Sequence, residues 1–196
     1  MEYDIFALQH DLAKKLTEKR FYHSLGVQSI SFAMAIQYGY DVEKANFAGL
    51  LHDCAKYLQD EKLLMKCEKY NLPISDLERR NNYLLHGKLG AYYAENKYGI
   101  LDADILSAII YHTTGKPDMS LLEKIIFTAD YIEPNRSSKR IPDLNEIRKL
   151  AFDDLDKAVY RILDNTLLYL KSEHQEIDNL TVEAYDFYKT QKNIEI

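Results

Sequence analysis

Apolar residues return every three or four positions along most of this chain, and that period limits what it can fold into. Ile5, Leu8, Leu12 and Leu16 form one stripe. Val27, Ile30 and Met34 belong to a second, which Gly39 closes as a C-terminal cap. Asp41 fits the N-cap of a helix expected to carry His52 and Asp53. Ser75 with Glu78, and Ser120 with Glu123, have the spacing at which each side chain satisfies the other's free backbone N–H. Gly99 and Asp102 punctuate the boundary between the next two helices. Pro134 and Pro142 bracket a polar, basic loop containing Arg136, Lys139 and Arg140. A long amphipathic run over 144–171 and a short last helix near 182–189 follow. With 7 Gly and 4 Pro in 196 residues, breakers are too few for a turn-rich β architecture. The expected fold class is all-α, a helical bundle forming a single domain over 1–196.

A net charge of −6 argues against a nucleic-acid polymer as partner, because such binding rests on a basic surface. It leaves room for a small anionic ligand held by a local group of Lys and Arg. The start, Met1-Glu2-Tyr3-Asp4-Ile5, has no basic region followed by an apolar run, so no signal peptide is expected. No apolar stretch approaches the roughly 18 residues of a membrane span, so no membrane partner is expected either. Cys54 and Cys67 lack a close metal-binding spacing and read as reduced core thiols of a cytoplasmic protein. A homodimer is kept as a possible assembly.

Six histidines are present, and several stand where a lone polar group is costly. His52-Asp53 lies in Ala48-Gly49-Leu50-Leu51-His52-Asp53-Cys54-Ala55-Lys56, an apolar, small-residue stretch. Burying a carboxylate beside an imidazole costs several kcal/mol or more without compensation. A divalent cation compensates both groups, since neutral imidazole and carboxylate are its natural ligands. A buried His–Asp hydrogen bond is the structural alternative. His10-Asp11 is an internal control: it sits beside Lys14 and Lys15, off the apolar stripe, and reads as a solvated surface. His23, at the opening of the second helix, and Asp130, beside Ile125-Ile126-Phe127, add two more ligands from two other helices. Such a mixed N/O shell with open positions suits Fe, Mn, Co or Mg better than a closed zinc site. His86 and His112 stand at the ends of apolar segments and suggest either a second metal or a pair of donors to phosphate. His174 is polar on all sides and reads as exposed.

The ordered set His23, His52-Asp53 and Asp130 on an all-α chain resembles the HD superfamily of metal-dependent phosphohydrolases. The segments Leu51-His52-Asp53-Cys54-Ala55-Lys56, Leu85-His86-Gly87, Tyr111-His112-Thr113-Thr114-Gly115 and Ala129-Asp130-Tyr131-Ile132-Glu133-Pro134 narrow the likeness. They resemble the bacterial symmetrical diadenosine tetraphosphate hydrolases of the HD type. The resemblance implies an HD-domain bundle that cleaves diadenosine tetraphosphate to two ADP, with iron as cofactor and a metal-bound hydroxide attacking a β-phosphorus. On that reading His23, His52, Asp53 and Asp130 hold the metal, and His86 and His112 contact phosphate or a second ion. Lys56, Arg136 in the basic loop, and Arg20 are candidates for neutralising phosphate charge. Two other readings compete: an HD phosphohydrolase of a nucleoside mono- or triphosphate, and a non-catalytic nucleotide-sensing or assembly protein.

Overall fold

Caps set most of the helix starts. In the computed structural model, which describes residues 4–139, 141 and 143–191, Asp4 accepts from the backbone N–H of Phe6 and Ala7 and opens α1, Ile5–Lys15. Met1 to Tyr3 of the N-terminal reading, and Arg140 and Pro142 of the basic loop, lie outside the described residues. Thr17 caps α2, Glu18–Gln37; Asp41 caps α3, Val42–Leu51. Then come α4, Asp60–Lys69, and α5, Asp76–Arg80, followed by a 3₁₀ turn, Asn82–Leu85. Next are α6, His86–Asn96, α7, Ala103–Tyr111, and α8, Leu121–Ile132. Last come α9, Leu144–Asp153, α10, Leu155–Ser172, and α11, Asn179–Gln191. Both expected capping boxes form, at Ser75/Glu78 and Ser120/Glu123. The described residues include no strand, and the fold is all-α as expected.

Four local expectations are corrected. α3 stops at Leu51, so His52 is its C-cap and Asp53 lies beyond it. The chain there turns through bonds to the third residue back, Cys54 N–H to Leu51 and Lys56 N–H to Asp53, which replace the helical ladder. His23 does not open α2; Thr17 starts that helix earlier, and His23 lies more than a turn inside it. The run 144–171 is two helices, because Asp154 takes an extended conformation and caps α10 by accepting from Lys157 N–H. The last helix also begins earlier than periodicity suggests, at Asn179.

α3 is the central element. Ala45, Phe47, Ala48, Gly49, Leu50 and Leu51 are all buried, and α2, α7 and α8 pack around them. The small residues serve the approach of α2: a Cβ on Gly49 would lie 2.9 Å from Gln28 Cα. Leu50, Leu51, Ile109 and Ile125 are fully enclosed, each contributing about 1.5–3 kcal/mol of burial. A smaller cluster of Ala55, Leu63, Cys67, Leu85 and Leu89 fixes α4 and the 3₁₀ turn against α6. Cys54 and Cys67 are both buried and unpaired, in agreement with the thiol reading. Among the described residues no helix is long and apolar enough to cross a membrane. This packing brings the middle of α2, the ends of α3 and α7, the start of α6 and the last turn of α8 to one place.

Candidate metal centre

Asp53 occupies the middle of that place, with imidazoles on both sides. His23 Nε2 and His52 Nε2 lie 3.7 and 3.5 Å from its Oδ2; His86 Nε2 and His112 Nε2 lie 3.4 and 3.5 Å from its Oδ1. His23 Nε2 is also 3.0 Å from Asp130 Oδ1. Two overlapping triads, His23–His52–Asp130 and His52–Asp53–His112, keep their ligand atoms within 4.8 Å of one another. The six residues named from sequence as metal ligands, catalytic groups or both are thus neighbours in space.

Hydrogen bonding decides how the rings face. His52 Nδ1 is 2.8 Å from Gly49 O, His86 Nδ1 is 2.5 Å from Tyr83 O, and His112 Nδ1 is 2.7 Å from Ile109 O. A carbonyl oxygen only accepts, so each of these Nδ1 atoms carries a proton, and in the neutral ring Nε2 keeps a bare lone pair. Those lone pairs converge. His86 Nε2 and His112 Nε2 are 3.0 Å apart, and Thr113 Oγ1, 3.1 Å from each, has a single proton that can serve only one of them. Asp53 Oδ1 is buried and has no hydrogen-bond donor. Acceptors facing acceptors in a dry interior repel, and a divalent cation with N/O preference removes the conflict. The donor set fits such an ion.

Electrostatics follow the same division. Burial pushes His52 and His86 down, despite the pull of Asp53, and keeps both rings neutral. Burial also opposes charge on His23, but hydrogen bonds to Asp130 and Glu133 win and push it up to about 9. A proton there stands where a cation would be bound. Asp130 is in turn held far below its ordinary value by His23 and Arg136, against its own burial.

The expected phosphate-binding cations lie around the same cluster. Arg20 donates to Asp53 Oδ2 at 2.6 Å, and Arg136 donates to Asp130 Oδ1 at 2.5 Å and to its backbone carbonyl at 2.9 Å. With Lys19 they line a cavity of about 590 Å³ that His23 borders. Lys56 lies in the turn after α3 rather than on a helix; burial pushes its ammonium down, opposed by Asp53. His10 is exposed, as expected, but Asp11 is not merely solvated. It accepts from Lys15, Lys97 and Tyr98, none of them a member of the cluster, because α1 packs beside the end of α6.

Two residues carry roles that sequence reading did not assign. Glu133 is 2% exposed, with Oε1 3.1 Å from His23 Nδ1 and Oε2 accepting from Asn135 N–H at 2.6 Å. It orients the one ring of the four that lacks a backbone carbonyl partner. Its signal was present, a carboxylate three residues after Asp130 in an otherwise apolar turn. Thr113 touches both His86 and His112 and gave no signal beyond adjacency.

The family model for the HD domain matches residues 20–135, more than half of the chain. The chain belongs to the HD domain family. The HD range contains every member of the cluster, Glu133 included. Among relatives, the "Bis(5'-nucleosyl)-tetraphosphatase, symmetrical" of Bacillus subtilis (strain 168) is 38% identical over 174 residues, covering 89% of this chain and 91% of that protein. The protein of the same name from Staphylococcus aureus is 41% identical over 180 residues, 90% of this chain and 91% of its own. A crystal structure of a "predicted HD superfamily hydrolase involved in NAD metabolism" from Clostridium acetobutylicum matches with a TM-score of 0.93 and 42% identity. It covers 98% of this chain and 100% of that one. The all-α architecture described above is therefore that of an HD hydrolase.

Proposed function

We propose that this chain hydrolyses diadenosine tetraphosphate symmetrically, giving two ADP, with a divalent metal held by His23, His52, Asp53 and Asp130. Iron is our choice of metal; a second ion is assigned to His86, His112 and the other oxygen of Asp53. The observation that carries the reading is the convergence of four imidazole Nε2 atoms on one buried carboxylate, Oδ2 facing one pair and Oδ1 the other. The tautomers favour the second ion over phosphate donation: a ring that spends its Nδ1 proton on a carbonyl has none left at Nε2. The named activity of the relatives supports the substrate. Two buried free thiols fit a reducing, cytoplasmic setting.

When bound, the metal supplies Lewis acidity, screening phosphoryl charge and acidifying water. The chain's own residues do the rest. Arg20, Lys19 and Arg136 line the cavity beside His23 and attract the polyphosphate. The two arginines already face carboxylate oxygens, so their guanidinium planes are preset for phosphate oxygens of similar geometry. Lys56, held in the turn beside Asp53, adds a further positive charge. Enclosure of His52, Asp53, His86 and His112 keeps bulk water from weakening these interactions. Water adds at a β-phosphorus, the central P–O–P bond breaks, and the second ADP leaves with the bridging oxygen.

Hydrolysis in heavy-oxygen water tests the regiochemistry. One label per turnover is expected, on the terminal phosphate of one of the two ADP molecules. AMP plus ATP, with label in AMP, would keep the HD phosphohydrolase assignment and overturn central cleavage.

A further inference from the structure

A second cavity lies at the opposite end of the cluster from the basic one. It holds about 460 Å³ between α5, the 3₁₀ turn, the end of α7 and the start of α11. Its size suits a small-molecule site. Thr113 is part of its wall, and the same residue's Oγ1 is 3.1 Å from both His86 Nε2 and His112 Nε2, so the cavity begins where the histidine cluster ends. The first cavity reaches the cluster from the other side, at His23.

The two differ in charge. The charged residues that line the first are Lys19, Arg20, Arg136 and Glu133, with Arg20 and Arg136 also paired to Asp53 and Asp130 of the cluster. In the second, Asp76, Glu78 and Asp178 outnumber Arg80 and Lys88, and both cations are paired: Lys88 Nζ is 2.7 Å from Glu78 Oε2, and Arg80 is 2.9 Å from Glu176. Beside these charges the wall offers apolar surface from Leu77, Leu84, Ile110 and Leu180, with Asn179 as a polar edge. Polyphosphate suits the first environment. A neutral heterocycle with a sugar suits the second, since it gains apolar contact and has no charge to desolvate.

A substrate cut at its centre must extend in both directions from the reacting phosphorus. We propose that the second cavity binds one of the two nucleosides, so that the halves of a chemically symmetrical substrate lie in unlike surroundings. This rests on the dinucleotide reading given above.

The chain contains no Trp, so one placed on the cavity wall reports from there alone. Asn179 is exposed at the first residue of α11, where Asn179→Trp disturbs no core contact. ADP is expected to change the emission of this variant saturably, and inorganic pyrophosphate to leave it unchanged. In a second variant, Leu84→Ala, KM for diadenosine tetraphosphate is expected to rise about tenfold, the scale of a lost apolar contact, with kcat within twofold and metal content unchanged. A silent Asn179→Trp, an equal response to pyrophosphate, or an unmoved KM in Leu84→Ala overturns the proposal. These outcomes differ from failure of the underlying reading, in which the wild-type chain would not cleave the dinucleotide at all.

Discussion

His23 keeps Nε2 for the cluster because Glu133 occupies Nδ1. The other three rings take their orientation from carbonyls three residues behind them, a local and nearly automatic contact. His23 lies inside α2, where the carbonyls of its own helix are already used, so its partner must come from elsewhere. Outer-shell partners of this kind typically hold a 10–100-fold effect on metal affinity. Glu133→Ala should therefore weaken binding of the divalent ion by roughly that factor, read by competition with a chelator. Glu133→Gln retains an acceptor oxygen for Nδ1–H and should recover most of it. Equal, wild-type affinity in both variants would mean that Glu133 does not orient the ring. The contact joins residues 110 apart in sequence, which is why a helix-period reading could not find it.

Among the elements, α6 and α7 carry the second half of the cluster, and their spacing depends on Gly87. A Cβ there would meet Ile110 O at 2.7 Å and Ile109 O at 3.1 Å, and Ile109 O is the acceptor that fixes His112. Backbone cannot yield as a side-chain tip can, so Gly87→Ala must push α6 away from α7. Overpacking of this kind costs about 1–3 kcal/mol. For a chain of this size that corresponds to a melting temperature lower by several degrees, at about 2–4 °C per kcal/mol. The shift also moves His86 from His112, so hydrolysis should fall well beyond what the lost stability explains. Unchanged melting and turnover would show that α6 can reseat freely. The small residues of α3 make the same point from the other side. Gly49 admits the backbone of α2, and the cluster itself is assembled beyond Leu51, where His52 and Asp53 leave the helix.

For the whole molecule, Asp11 ties α1 to the end of α6, accepting from Lys15 at 2.5 Å, Lys97 at 2.8 Å and Tyr98 at 2.7 Å. Burial pushes this carboxyl up, but Lys15 and Tyr98 outweigh it and hold it below its ordinary value. A carboxyl depressed in the folded state adds stability above its unfolded pKa of about 3.9, and that stability is lost as pH falls through the lower folded value. The urea midpoint of the wild type should therefore drop faster below about pH 4 than that of Asp11→Asn. Since Asp11 is 36% exposed, solvent screening limits the difference to no more than about 1 kcal/mol. At neutral pH metal content and turnover should match in the two chains, because the partners of Asp11 are Lys15, Lys97 and Tyr98, none of them a member of the cluster. Parallel midpoints at all pH values would remove the tie.

From sequence alone, the all-α class, both capping boxes and the separation of the two His-Asp pairs were legible, because each depends on residues a few positions apart. A carboxylate inside an apolar run is costly wherever the chain goes, so Asp53 and Asp130 stood out as candidate ligands before any fold was known. The breaks at Leu51 and Asp154 were not legible: both stretches keep their apolar period, and hydrogen bonds in the turn and the cap ended the helices. Tertiary structure alone decided that Asp53 faces two pairs of imidazoles and that Arg20 and Arg136 turn toward carboxylates. It also decided that Glu133 and Thr113 join the cluster. Those relations bring together side chains from α2, α3, α6, α7 and α8, and only packing around α3 sets their distances.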